Sequence, residues 1–137
     1  MASLADTLQI SAAGMRAQSD RLRAVAENVA NAESTAQVPG GDPYRRKVLV
    51  FENALNKELG IETVKIAKRT YDMSPFNRKY DPSHPMADAQ GYVTYPNVNP
   101  IVEMMDMREA RRGYEANIDV VQVSKAMLTQ TISLLQK

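Results

Sequence analysis

The stretch NPIVEMMDMREARRGYEANIDVVQVSKAMLTQTISLLQK, Asn99 to Lys137, decides how this chain must fold. Asn99 is a good helix N-cap, and Pro100 suits the first turn, where no backbone donor is needed. No proline follows. Met104, Met107, Arg111, Tyr114, Ile118, Val121, Lys125, Leu128, Ile132 and Leu135 fall at alternating steps of three and four, apolar at eight of the ten positions. The spacing predicts one helix of about five heptads, roughly 55 Å long at about 1.5 Å per residue. Such a helix is marginal in water until something covers its stripe.

The other end of the chain supplies a matching stripe. Ser3 to about Asn31 carries Leu4, Leu8, Ser11, Met15, Gln18, Leu22, Val25 and Val29 at the same alternating steps. Ser3 with Asp6 three residues on is a loose capping box. Gly14 costs this helix about 1 kcal/mol against alanine, either as a tolerated residue or as a point of close approach by a neighbouring helix. Ser11, Gln18, Arg111 and Lys125 interrupt the two stripes. Polar residues there either fix register or sit at an exposed edge, and the long cations suit the edge.

Between the helices the pattern changes. Val38-Pro-Gly-Gly-Asp-Pro43 is a cluster of turn formers that marks a boundary. Tyr44–Phe51 reads as a strand, Glu52–Leu59 as a short helix or a loop, and Thr63–Lys68 as a half-buried strand. Asp72–Asp88, with Pro75, Pro82 and Pro85, reads as extended surface chain, and Gln90–Tyr95 as a third strand closed by Pro96. The expected fold is mainly α with a small β module. Helices in 1–36 and 100–137 pair as an antiparallel coiled coil over about four heptads, around a strand-and-loop module at 37–99. Three short strands make a thin core, so the helices or a neighbour should share it.

The chemistry that the chain lacks narrows the function classes. Its 137 residues carry 17 basic and 16 acidic side chains, too balanced to steer it to nucleic acid or an anionic membrane. Arg45, Arg46 and Lys47 read as a solvated rim. With no cysteine and one histidine, His84, the chain has neither thiol chemistry nor a two-histidine metal site. His84 in Pro-Ser-His-Pro reads as loop packing. Glu103, Asp106 and Glu109 suit the positive end of a helix macrodipole. Met104, Met105 and Met107 suit adaptable packing between subunits. No phosphate loop, serine elbow or His-Glu metal pattern is present, so no catalytic, cofactor-binding or metal-ligating residues are assigned. No run approaches a membrane span, and the first residues lack the basic region of a signal peptide.

Ala12-Ala-Gly-Met15, Arg21-Leu22, Asn28-Val-Ala-Asn31, Thr35 and Tyr44-Arg-Arg46 together resemble the N-terminal signature of bacterial flagellar rod and hook axial proteins. Pro85-Met-Ala-Asp-Ala-Gln-Gly-Tyr-Val93 and Tyr95-Pro-Asn-Val-Asn99 are similar to the middle of a proximal-rod member. Glu103-Met104 and Arg112-Gly-Tyr-Glu-Ala-Asn117 resemble the family's C-terminal signature. The matches run in order over nearly the whole chain. Two departures stand out: Asn31-Ala-Glu-Ser-Thr35 replaces the usual step after the first helix, and Gly113 stands where serine or alanine is common.

The resemblance implies a structural subunit of the basal-body rod, a helical assembly that forms a hollow drive shaft across the periplasm and transmits torque. It implies export by the flagellar type III apparatus without a cleaved signal, terminal helices as the inner layer and the middle module facing outward. Expected partners are copies of itself and other rod proteins, with base-ring and export-gate proteins as further neighbours. The expected subunit-packing residues are Leu8, Met15, Leu22, Val25, Asn28, Val29, Asn31, Met104, Met107, Tyr114, Asn117, Ile118, Val121, Leu128, Ile132 and Leu135. Asn28, Asn31 and Asn117 should bond backbone groups at helix ends or between helices. The rival classes are a cytosolic helical-hairpin adaptor or chaperone and a hydrolase using His84, Asp88 or Glu103.

Overall fold

The computed structural model describes residues 3–56 and 60–136. Helix α1 spans Leu4–Ala30 and helix α2 Pro100–Leu135, with strands β1 (Lys47–Asn56), β2 (Ile61–Tyr71), β3 (Asn77–Tyr80) and β4 (Tyr92–Tyr95) between them. Both helix starts follow the expected capping chemistry. Ser3 N–H donates to Asp6 Oδ2 at 2.9 Å and Asp6 N–H to Ser3 Oγ at 3.1 Å, a capping box closed by aspartate. Asn99 Oδ1 accepts Ile101 N–H at 3.1 Å, which makes Pro100 the first helical residue. At the other end of α1, the Glu27 carbonyl accepts both the Asn31 backbone N–H at 3.0 Å and Asn31 Nδ2 at 2.9 Å.

The middle differs from the sequence reading in three places. Tyr44–Arg46 precede the strand rather than belonging to it; the Arg46 N–H donates to Asn97 Oδ1, and its carbonyl accepts the N–H of Asp72 just beyond β2. Glu52–Asn56, ambiguous in sequence, continue β1; the rest of that ambiguous stretch, 57–59, lies outside the described residues. The proline-rich segment contains β3, which pairs antiparallel with β4 in the register Asn77↔Tyr95 to Tyr80↔Tyr92. Its prolines flank the strand rather than interrupt it, so the ladder keeps its donors. The described strands are therefore four, in two separate two-stranded sheets, β1–β2 and β3–β4.

The chain forms two compact units. The first takes in Met1–Leu22, Val50–Lys68 and Arg108–Lys137. Its buried apolar side chains are alanines: Ala13, Ala17 and Ala110, beside buried Ser11 and Ser124. Small side chains let helix backbones approach closely, and glycine extends this. A Cβ on Gly14 would stand 2.8 Å from Asn117 Nδ2, and one on Gly113 would stand 3.2 Å from Gln18 Cδ. Arg21 and Glu109 add an ion pair at 3.4 Å. Opposed positions descend in α2 as they rise in α1, so the two segments run antiparallel. Gly14 is thus a point of close approach. The sheet of this unit is largely exposed, with Lys65 paired to Glu52 at 3.3 Å across β1 and β2.

The second unit takes in Arg23–Leu49 and Arg69–Met107. It buries Val25, Val93, Val98 and Pro96 around two polar side chains with almost no exposure, Asn28 and Glu103. Gly91, at φ 88°, turns the chain into β4 where an L-residue would be strained. A Cβ there would also press against the Tyr80 ring.

Candidate assembly sites

Asn28, in the part of α1 that belongs to the second unit, spends its whole amide. Its Nδ2 donates to the Lys47 carbonyl at 3.0 Å and to Glu103 Oε2 at 3.5 Å. Its Oδ1 accepts Lys47 N–H at 2.9 Å and Tyr44 O–H at 2.7 Å. The side chain thus gives the start of β1 the donor and acceptor that a neighbouring strand would offer. The expectation that Asn28 bonds backbone groups is met.

Arg46 sits beside it. Its Nε donates to Glu103 Oε1, Nη1 to Asp72 Oδ2 at 3.5 Å and Nη2 to Asp106 Oδ2 at 3.4 Å. Its backbone N–H donates to Asn97 Oδ1 at 2.9 Å, and Asn97 Nδ2 donates to the carbonyls of Asp72 and Ser74. Arg46 therefore joins three segments: its guanidinium reaches the residue after β2 and the first turns of α2, and its backbone N–H reaches the segment after β4. Burial works against its charge, but the Glu103 hydrogen bond and the attraction of Glu103, Asp72 and Asp106 hold its pKa above the usual guanidinium value. The Ser74 backbone N–H, at 2.8 Å, leads the interactions that hold Asp72 below the usual carboxylate value. Burial pushes the Tyr44 phenol up.

The cationic run is not a solvated rim. Arg45 lies 4.1 Å from the Phe76 ring centroid and donates to the Asp72 carbonyl at 2.9 Å, while Lys47 pairs with Glu27 at 2.6 Å. Glu103 does more than complement a macrodipole: it is the buried anion that Arg46 and Asn28 enclose. His84 behaves as loop packing, its Nδ1 accepting Met86 N–H at 3.0 Å. No cluster of metal-ligating side chains occurs among the described residues.

In the first unit, Asn117 Nδ2 donates to the Gly113 carbonyl at 2.9 Å while its amide lies against Gly14. Of the expected packing residues, Val25 and Asn28 are buried. Leu8, Met15, Leu22, Val29, Asn31, Met107, Tyr114, Asn117, Ile118 and Val121 are half-buried. Met104, Leu128, Ile132 and Leu135 are exposed. Arg111 and Lys125 lie exposed, as their length suggested, whereas Ser11 is buried and Gln18 half-buried.

The motifs quoted above therefore converge in space. Asn28, Tyr44, Arg46 and Glu103 meet in one unit; Gly14 and Asn117 meet in the other. A family model described as flagellar basal body rod FlgEFG protein C-terminal matches residues 89–134. Over its length the chain is 46% identical to the flagellar basal-body rod protein FlgC of Agrobacterium fabrum, covering 99% of this chain and 98% of that one. The FlgC proteins of Escherichia coli O157:H7 and Salmonella typhimurium are 39% and 38% identical, each covering 98% of this chain and 99% of theirs. The chain belongs to the FlgC family of flagellar basal-body rod proteins. That family is structural rather than enzymatic, so the hydrolase reading falls, and the adaptor or chaperone reading draws no support from these relatives. The sequence reading missed Arg46, Glu103, Asn97 and Gly113 as organising residues. A carboxylate among several in a helix's first turns gives no signal of its burial, because the macrodipole already accounts for it.

Proposed function

We propose that this FlgC-family chain is a structural subunit of the basal-body rod, polymerising helically with copies of itself and other rod proteins into the hollow shaft that crosses the periplasm and transmits torque. Residues 1–36 and 100–137 form the inner layer, paired as an antiparallel coiled coil, and 37–99 face outward. Base-ring and export-gate proteins are further neighbours at the ends of the rod, and the chain reaches it through the flagellar export apparatus without a cleaved signal. The observation that carries the reading is the apolar surface of the far half of α2. Leu128, Ile132, Leu134 and Leu135 are all exposed, the last at 81%. By the Gly14–Asn117 register, Leu4 lies opposite Met127, so Leu128–Leu135 have no described α1 residue facing them. Apolar surface in that arrangement suits burial by adjacent subunits.

The test separates folding from assembly. Ile132→Asp and Leu135→Asp place a charge on exposed positions, so the purified chain should keep its unfolding midpoint. In cells they should abolish rod completion and motility, because a charge buried at a subunit boundary lacks a partner. Normal basal bodies in both variants would remove these residues from the packing surface. Leu22→Asp, Val25→Asp, Ile118→Asp and Val121→Asp should fail at both stages.

A further inference from the structure

A heptad pattern repeats, so sliding one helix along the other by seven residues puts apolar positions opposite one another again. Something else must choose the register of α1 against α2. In the first unit, each helix carries one glycine, and each glycine receives an amide side chain from the other helix. Asn117 lies on Gly14, and Gln18 lies on Gly113. Asn117 is held in place by its bond to the Gly113 carbonyl. Gln18 Oε1 is buried and finds no hydrogen-bond partner among the described residues. A buried amide oxygen without a partner works against stability, so the place of Gln18 in the seam is not explained by stability alone.

We propose that Gly14, Gln18, Gly113 and Asn117 form a reciprocal amide-on-glycine seat that selects one antiparallel register of the two arms over those displaced by a heptad. The seat rests on the arm pairing proposed above and adds what fixes it. Displacement by seven residues in one direction or the other sets Asn117 against Thr7 or Arg21 and Gln18 against Asp106 or Val120. Neither amide then has a glycine to receive it, and Gly14 faces Ala110 or Ser124 with a gap between. The seat thus uses shape where the apolar stripe is degenerate. Polar residues that fix register at a cost in stability act in the same way in other helix pairs.

The chain has no cysteine, so an introduced pair reports register without background. Ser11→Cys with Val121→Cys reads the seated register; Ser11→Cys with Tyr114→Cys or with Leu128→Cys reads the two displaced ones. Each pair is placed in the full chain as the only copy in a flagellated cell, basal bodies are oxidised, and intramolecular disulfides are separated from intermolecular ones on a non-reducing gel. The seated pair should exceed each displaced pair by about tenfold, and adding Gln18→Leu with Asn117→Leu should bring the ratio towards one. Because leucine at these positions also bears on rod completion, the same ratios are read on the purified monomer. A seated-to-displaced ratio that survives the two leucines overturns the seat while leaving the arm pairing intact. Disulfides that are solely intermolecular overturn the arm pairing, and the seat with it.

Discussion

In the unit around Glu103 the interior is polar and saturated. Asn28 spends both ends of its amide, Arg46 meets three carboxylates, and the buried apolar residues are valines and the prolines Pro43 and Pro96. In the unit around Gly14 the interior is small and sparse, with alanines and serines buried while Leu128, Ile132 and Leu135 face outward. The first interior satisfies its buried polar groups within one chain. Both units leave apolar side chains exposed, Met73, Ile101 and Met105 in the first and Leu134 and Leu135 in the second, each worth roughly 25 cal/mol per Å² to whatever covers it. The difference lies in how the two interiors are made: one is held by saturated hydrogen bonds and ion pairs, the other by the close approach of small side chains.

The largest expected effect tests whether the Glu103 unit really depends on its charges. Arg46→Ala leaves Glu103 buried without its cation and should destabilise the chain by about 3–5 kcal/mol, read as a lower denaturant midpoint at unchanged slope. Replacing both, as Arg46→Met with Glu103→Leu, should cost far less than the sum of the single changes, because no orphan charge remains. Equal and additive losses would mean that the pair is ordinary surface electrostatics, and the contrast between the units would collapse. Asn28→Ala follows. It strands the Tyr44 hydroxyl and both backbone groups of Lys47, and should cost about 2 kcal/mol.

Much of this was legible in the sequence, for reasons that particular residues show. The helices were readable because Leu4 to Val29 and Met104 to Leu135 obey a period that only a helix satisfies, and Ser3 and Asn99 announce the starts. The β-module was readable only in part. Glu52–Asn56 lack the alternation of a strand and become one by pairing with β2, an effect of the partner strand that no pattern within the segment carries. The amide network was half legible: Asn28 and Asn117 stood out, but their partners did not. Arg46 looked like its neighbours Arg45 and Lys47 until Glu103, fifty-seven positions away, gave it a role. Gly14 was legible as an anomaly, and its cause lay in Asn117, which belongs to the other helix.

The Gly14 unit is tested by a sign reversal of smaller size. In an isolated helix, alanine is favoured over glycine by about 1 kcal/mol. In the paired helices the added methyl displaces Asn117 from the Gly113 carbonyl, so Gly14→Ala should be neutral or destabilising. Once Asn117→Ala has removed the amide, Gly14→Ala should stabilise by about 0.5–1 kcal/mol. A double-mutant cycle by chemical unfolding reads the difference. Gly113→Ala should show a weaker version, since its nearest opposed atom stands 3.2 Å from the added carbon rather than 2.8 Å. A stabilising Gly14→Ala in the unaltered chain would show that the approach at this point is loose.

The smallest effect at neutral pH is also the one that separates the units most cleanly in acid. Among the described residues, the groups whose titration the fold moves clearly, Glu27, Tyr44, Arg46, Lys47, Asp72 and Asp88, all belong to the Glu103 unit. Asp88 is held low chiefly by the Tyr92 backbone N–H, with Gln90 N–H and Arg78 adding to it, and Asp72 chiefly by Ser74 N–H. With folded pKa values below the ordinary 3.8, the folded chain binds fewer protons than the unfolded chain in acid. The stability these carboxylates add is complete above that value and drains away as pH falls through the lower folded values. Protection of the amides in β3–β4 and the start of α2, taken relative to their intrinsic exchange rates, should therefore fall on acidification below about pH 4. Asp72→Asn with Asp88→Asn should flatten that dependence while leaving the exchange of Gly14 and Asn117 unchanged. Equal acid sensitivity in both helix segments, persisting in the double variant, would mean that the two interiors do not differ in the way their hydrogen bonds imply.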